Sequence, residues 1–124
     1  NDVGKAINPQ QVKGQIEGSI IQALGYSLME NLIQKDGELI TKNMATYLIP
    51  TIMDIPSKMN VSILEIPDPL GPLGARGMAE MPFGPVAPAV AAAVHDATGK
   101  WIDALPMTAE RVKNELCIDK KKRL

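Results

Sequence analysis

Histidine and cysteine each occur once in the 124 residues, as His95 and Cys117, and aromatic side chains make up only 3% of the chain. A single cysteine excludes an internal disulfide and fits a reducing compartment. One His and one Cys cannot complete a side-chain metal site without carboxylates at ligand spacing, and the acidic residues show no such spacing. The scarcity of aromatics removes the stacking platforms of single-strand binders, and a net charge of -1 gives no long-range field to draw in nucleic acid or anionic lipid. No apolar run approaches the roughly 20 residues of a membrane helix, and no charged start followed by an apolar core marks a signal peptide. Phosphate-loop, H-E-x-x-H and G-x-S-x-G patterns are absent as well. What remains is one cytoplasmic domain, with no nucleic-acid or membrane partner. The chain opens on Asn1 and reads like the middle of a protein, so a fragment or a processed product is expected.

The first strong signal lies at "NPQQ". Asn8 suits an N-cap, Pro9 the first helical position, and Gln11 the place of a capping-box partner, so a helix is expected from about Pro9 to Ile33. Val12, Ile16, Ile20, Ala23, Leu24 and Leu28 form its core face. The opposite face carries Gln11, Gln15, Gly18, Gln22 and Gly25, with amides and glycines where a solvated face shows charge. Each helical glycine costs about 1 kcal/mol against alanine, so Gly14, Gly18 and Gly25 imply close approach by another backbone or a ligand. Lys13 and Glu17 pair at i,i+4.

Asp36 and Gly37 predict a turn leading into a short extended piece with Leu39 and Ile40. "MATYLIPTIMDIP" is broken by Pro50 and Pro56 and reads as an extended connection. "VSILEI", residues 61–66, is the best strand, and it is expected within a small sheet. A second, Ala-rich helix runs from about Pro85 or Pro88 to Thr98, with Val90, Ala93, Val94 and Ala97 inward and Gly99 as its stop. His95 falls off that stripe and reads as a surface residue. Thr108 caps a last helix, "AERVKNEL", on which Arg111 is an ordinary surface charge and Cys117 a small apolar residue near its end. The fold class is therefore α+β: the long N-terminal helix and the second helix pack on a small, mainly antiparallel sheet, with a long ordered Gly/Pro loop. Residues 1–117 form the domain, and 118–124 a frayed basic tail.

That loop, Pro67 to Pro88, is too long for an ordinary connection, and loops of this length are functional or disordered. Its apolar residues, Leu70, Leu73, Met78, Met81 and Phe83, argue for order. Glu80 is its candidate catalytic group. Apolar neighbours would raise the pKa of Glu80, while Arg76 and the following helix N-terminus would oppose the rise. Composition alone favours a plain surface glutamate.

The blocks "DVGKAINPQQVKGQIEGSIIQALG", "YLIPTIMDIP" and "GPLGARGMAEMPFGPVAPAVAAAVHDATG" resemble the C-terminal part of the large molybdopterin-binding subunit of the xanthine dehydrogenase and aldehyde oxidase family. The resemblance covers Asp2 to about Val112, and the order and spacing of the blocks carry it. It implies that Glu80 is the base that deprotonates a molybdenum-bound hydroxide, whose oxygen then attacks an electron-poor carbon of an aldehyde, purine or N-heterocycle. It makes Gln15 the glutamine that hydrogen-bonds the pterin, and it lines the molybdenum ligands with the backbone amides of Gly77, Met78 and Ala79. The cofactor's dithiolene would hold the metal, with no protein metal ligand. The implied cofactor is molybdopterin, as such or in its cytosine dinucleotide form, with iron-sulfur clusters and FAD on other domains or subunits. The implied partners are the remainder of the large subunit, those subunits and a small-molecule substrate, and the chain alone would be inactive. Ala79 departs from the family's glycine, which would strain the loop if that position needs a positive φ. Two other readings remain: a non-catalytic assembly or binding module that keeps the fold, and an unrelated α+β domain whose loop binds an anion at a helix N-terminus.

Overall fold

The computed structural model describes the backbone of residues 1–121 and the side chains of residues 1–117. The architecture of the described residues is α+β, as the sequence predicts: three α-helices and one two-stranded antiparallel sheet. Helix α1 spans Pro9–Leu28, α2 Val86–Thr98 and α3 Ala109–Lys121. Strands β1 (Gln34–Lys35) and β2 (Glu38–Leu39) pair through Gln34 opposite Leu39 and Lys35 opposite Glu38. Asp36 and Gly37 join them with positive φ of 51° and 82°, as a two-residue hairpin turn of the primed type requires.

Helix α1 starts where the cap residues predict, with Asn8 Oδ1 accepting from the Gln11 amide at 3.1 Å. It ends five residues before the expected Ile33, because the chain turns at Met29, where the Met29 and Glu30 amides both fold back onto the Gly25 carbonyl. Its core face is also rotated from the expected one. Ile16, Ser19, Ala23, Gly25 and Ser27 are buried, whereas Val12, Ile20 and Leu24 are half-buried and Leu28 is exposed. The neighbours account for it: Ser19 meets the Ala79 carbonyl, and the Met107 amide bonds the Ser27 carbonyl. Ile20 and Leu24 instead line an open groove with Pro82 of the 3-10 turn Met81–Phe83 and with Val86 and Val90 of α2, against which α1 packs. Tyr26 and Phe83 meet with ring centroids 5.5 Å apart.

Gly25 is buried because Pro50 lies against it, so the expected close approach is real there. At Gly14 and Gly18 no other part of the chain comes within 4 Å of an added Cβ. The 44–56 connection is less extended than expected: residues 44–46 form a turn whose Thr46 and Tyr47 amides bond the Asn43 carbonyl, and a 3-10 turn at Ile52–Asp54 is closed by the reciprocal Thr51 and Asp54 capping bonds. Tyr47 Oη ties it to α1's end by donating to Glu30 Oε2 at 2.6 Å.

Residues 61–66 form no strand of the sheet, against expectation. Only Leu64 pairs, in a parallel bridge to Asp2, with Val3 N to Leu64 O at 3.0 Å and Leu64 N to Asn1 O at 2.7 Å. The ladder does not continue to Ile66, because Gly4 turns away at φ 65° to pair with Ala75. Residues 2–5 thus run between two segments far away in sequence, and Val3 between them is 2% exposed.

No residue of α2 is fully buried: of the expected stripe Val90 and Val94 are half-buried, and Ala93 and Ala97 are exposed. Gly99 ends α2 in the left-handed region, as predicted. His95 stacks on Trp101, with centroids 4.2 Å apart. Thr108 Oγ1 caps α3 by accepting from the Arg111 amide. Arg111 is less of a surface charge than expected, since Nη1 donates to the Pro106 carbonyl at 2.9 Å. Helix α3 continues past 116 through Lys121, into the expected tail, and residues 122–124 of that tail lie outside the described residues.

Candidate functional site

The glycine and proline segment is built up from Asp68. Its Oδ1 accepts from the Leu70 amide at 2.9 Å, the Gly71 amide bonds its carbonyl, and the 3-10 turn Pro72–Gly74 follows. Leu73 and Gly74 both have positive φ, 55° and 80°, which aims the Gly74 carbonyl back at the chain start. That carbonyl accepts from Lys5 N at 2.7 Å and from Asp68 N at 2.9 Å, while Arg76 N bonds Val3 O at 2.9 Å. The backbones approach so closely that a Cβ at position 4 would collide with Gly74 O and lie 3.0 Å from Arg76 N, so Gly4 leaves no room for a side chain.

An ionic buckle closes the same junction. Arg76 Nη1 bonds Asp2 Oδ2, and Arg76 Nε bonds Asp68 Oδ2 at 3.2 Å. Asp2 Oδ1 accepts from the Gly4 and Ile66 amides at 3.0 and 3.2 Å. These amide bonds, with the Arg76 charge, hold the Asp2 carboxyl below its usual range, and the Leu70 amide and then Arg76 do the same for Asp68. Arg76 was expected to act as a charge opposing Glu80. It is instead committed to Asp2 and Asp68, and so anchors the loop's first half.

The second half is held by α1. Ser19, Gln22 and Gln15 lie on one side of that helix at spacings of three and four residues. Ser19 Oγ donates to the Ala79 carbonyl at 3.1 Å, and Gln15 Nε2 reaches the same oxygen at 3.5 Å. Gln22 Nε2 donates to Glu80 Oε1 at 2.7 Å. Pro82, just beyond, is buried, and the Tyr26 and Phe83 contact anchors the 3-10 turn that follows. The Ala79 carbonyl faces α1, so in a planar trans peptide the Glu80 N–H points away from it.

Beside this junction lies an open cleft of about 330 Å³ with a mixed lining: Lys5, Asn8, Gln11, Gln15 and Arg76 stand beside apolar Val3, Ile7, Val12, Ala75 and Met78. Of the residues singled out from sequence, Glu80, Gln15 and Ala79 come together at the α1 contact, and Gln15 and Met78 line the cleft. Gly77 is exposed, with open space where a side chain would be. Ala79 lies outside the positive-φ region, so alanine meets no conformational strain there. Sequence reasoning missed Ser19, the Asp2 and Asp68 buckle, and the contribution of Lys5. The 15–19–22 spacing signals Ser19, since three polar residues at helical period form one stripe. Nothing local pairs Asp2 with Arg76, 74 positions away.

The donors around the cleft are the side-chain amides of Asn8, Gln11 and Gln15 and the Lys5 ammonium, with the Arg76 guanidinium already paired to Asp2 and Asp68. Such a set recognises the edges of a polar heterocycle and an attached anionic group by hydrogen bonding, so the residues present fit a pterin cofactor.

Residues 1–56 match the family model described as a molybdopterin cofactor-binding domain. A probable xanthine dehydrogenase component of Bacillus subtilis (strain 168) is 40% identical over 111 residues, 88% of this chain and 14% of that protein. A probable hypoxanthine oxidase of Escherichia coli (strain K12) is 34% identical over 116 residues, 93% of this chain and 12% of that protein. The crystal structure of quinoline 2-oxidoreductase from Pseudomonas putida 86 superposes with a TM-score of 0.86 at 40% identity, over 94% of this chain and 15% of that one. The chain therefore spans about one-seventh of the length of the relatives it matches. With sequence and fold in agreement, it belongs to the xanthine dehydrogenase and aldehyde oxidase family of molybdenum hydroxylases, as a molybdopterin-binding part of the large subunit.

Proposed function

We propose that this chain supplies the catalytic base and part of the cofactor cradle for oxidative hydroxylation, with water as the oxygen source, at an electron-poor carbon of an aldehyde, purine or N-heterocycle. Glu80 is the base, Gln15 hydrogen-bonds the pterin, and the amides of Gly77, Met78 and Ala79 line the reacting centre. The observation that carries the reading is the convergence of Glu80 and Gln15 on one junction, from positions 65 residues apart, with Gln15 also lining the cleft beside it.

Molybdopterin, as such or as its cytosine dinucleotide, would supply the two-electron oxidation when bound, with Gln15 among the residues that would hold it. The chain's residues do the rest. Gln15 is bonded to Ala79 only at 3.5 Å, a contact weak enough to yield to a ligand in the cleft. Glu80 accepts the proton of the attacking oxygen, and the trans peptide at Ala79–Glu80 turns its N–H away from α1. Arg76, fixed by two carboxylates, keeps the first half of the loop in register with residues 2–5.

The remainder of the large subunit is the main partner, with iron-sulfur and FAD subunits or domains accepting the electrons. Several large apolar side chains support such a partner, since Leu70 is 95%, Met53 87% and Leu73 79% exposed. A lone segment that leaves so much of its cleft and apolar face uncovered is inactive by itself. No helix among the described residues is long and apolar enough to cross a membrane, and the single exposed cysteine suits the cytoplasm.

The test uses the full-length subunit in its complex, with hypoxanthine, quinoline and benzaldehyde as substrates. Glu80→Gln should lower turnover about 10³-fold, the order removed with a general base, and leave molybdenum content normal. Gln15→Ala should lower cofactor retention. Loss of metal on Glu80→Gln, or turnover undiminished, would make Glu80 structural or incidental.

A further inference from the structure

The geometry points to Gln22 as the positioning residue of Glu80, a role that rests on the proposed assignment of Glu80 as base. Gln22 Nε2 donates to Glu80 Oε1 at 2.7 Å, from a helix that is itself fixed to the preceding residue by Ser19. Both partners are exposed among these residues, where a single hydrogen bond between long side chains adds little to stability, so holding this pair together has another consequence. Rotation about the glutamate side chain is the freedom that would otherwise be lost at each catalytic event. The amide donor removes it in advance by occupying one carboxylate oxygen, which leaves Oε2 to take the proton.

Two features of the donor suit this task. Gln22 is neutral at every pH, so it orients the carboxylate without adding a charge to the site. It also sits on α1, one turn beyond Ser19 and two beyond Gln15, so pterin contact, loop anchor and base orientation share one rigid element. A base held on a helix-mounted donor keeps its reacting oxygen within the narrow range that proton transfer needs.

The experiment compares Gln22→Met, which keeps side-chain length and removes the donor, with Gln22→His, which retains an N–H donor, in the full-length subunit and its complex. Kinetics are measured with whichever of hypoxanthine, quinoline or benzaldehyde the wild type oxidises, and the cofactor-free proteins are crystallised. The expected result is a kcat about tenfold or more lower for Gln22→Met, with KM and molybdenum content unchanged and the Glu80 carboxylate turned away from α1 in the cofactor-free crystal. Gln22→His should recover part of the loss. Full activity in Gln22→Met while Glu80→Gln is inactive would overturn the role of Gln22 and leave that of Glu80 intact. Activity retained by Glu80→Gln would overturn the assignment of the base, and Gln22's role with it. A joint fall in kcat, metal content and melting temperature, with no recovery by histidine, would make Gln22 a structural residue and overturn the inference.

Discussion

Ser19, on α1, donates its hydroxyl proton to the carbonyl of Ala79 at 3.1 Å, and this one bond fixes the peptide group that precedes Glu80. Ser19 is 5% exposed, whereas Ala79 is at the surface. Removing the hydroxyl leaves the carbonyl to water and to the long Gln15 contact, so the stability cost of Ser19→Ala should be about 1 kcal/mol or less. The kinetic cost should be larger. A peptide free to tilt moves Glu80, and small misplacements of a reacting group are costly. Ser19→Ala should lower kcat about threefold to tenfold with molybdenum content unchanged, as steady-state kinetics beside metal analysis would show. An unchanged kcat would mean that Gln22 alone suffices to place the carboxylate.

Ala79 is the second case. The family has glycine here, and an alanine could have signalled a strained loop, but its backbone lies outside the positive-φ region and its side chain is exposed. Ala79→Gly therefore relieves nothing. It adds freedom to the unfolded chain, so stability should fall by up to about 1 kcal/mol with turnover within twofold of the parent. A large gain in kcat would show that the methyl group obstructs the site.

The helix starts, the hairpin turn and the Gly99 stop were legible because each depends on residues within a few positions: Asn8 and Pro9, Asp36 and Gly37, and a glycine that tolerates the left-handed region. The rotated core face of α1 was not legible. Hydrophobicity alone selects Val12, Ile20 and Leu24, and only the distant partners, the Ala79 carbonyl at Ser19 and the Met107 amide at Ser27, reveal that the two serines face inward. The 61–66 segment has the composition of a strand, but the segment beside it turns away at Gly4 to pair with Ala75. At the site, the resemblance carried Glu80 and Gln15, while the Gln and Gly stripe found Gln22 without its partner. The Asp2, Arg76 and Asp68 buckle joins residues whose separation leaves no periodic trace.

That buckle predicts a pH dependence. Asp2 and Asp68 both have carboxyl groups held below their ordinary value of about 3.9 by amide bonds and by Arg76. A lowered folded-state pKa means the stabilisation is fully present above the unfolded value and is lost as pH falls through the folded one. The contribution is thus fully present from pH 5 to 8 and is lost progressively as the pH falls below about 4 and through the lowered folded-state values. In thermal unfolding of the full-length protein, Asp2→Asn and Asp68→Asn should lower the melting temperature at pH 7, and the difference from wild type should shrink as the pH drops below 4. A difference that grows on acidification would contradict the buckle.

The helical glycines separate into two kinds, and a pair of alanine substitutions distinguishes them. At Gly25 an added Cβ would meet the Pro50 ring at 2.7 and 2.8 Å and press on the Glu30 carboxylate, whose other oxygen is held by Tyr47. Neither the proline ring nor the bonded carboxylate yields easily, so Gly25→Ala should destabilise by about 1–3 kcal/mol, as overpacking does. At Gly14 nothing in these residues lies within 4 Å, and alanine is the better helix former by about 1 kcal/mol. In the cofactor-free full-length protein, Gly14→Ala should therefore raise the melting temperature while Gly25→Ala lowers it. If Gly14→Ala instead lowers it, another part of the subunit must come as close to Gly14 as Pro50 does to Gly25, and that contact would supply the close approach the sequence implies.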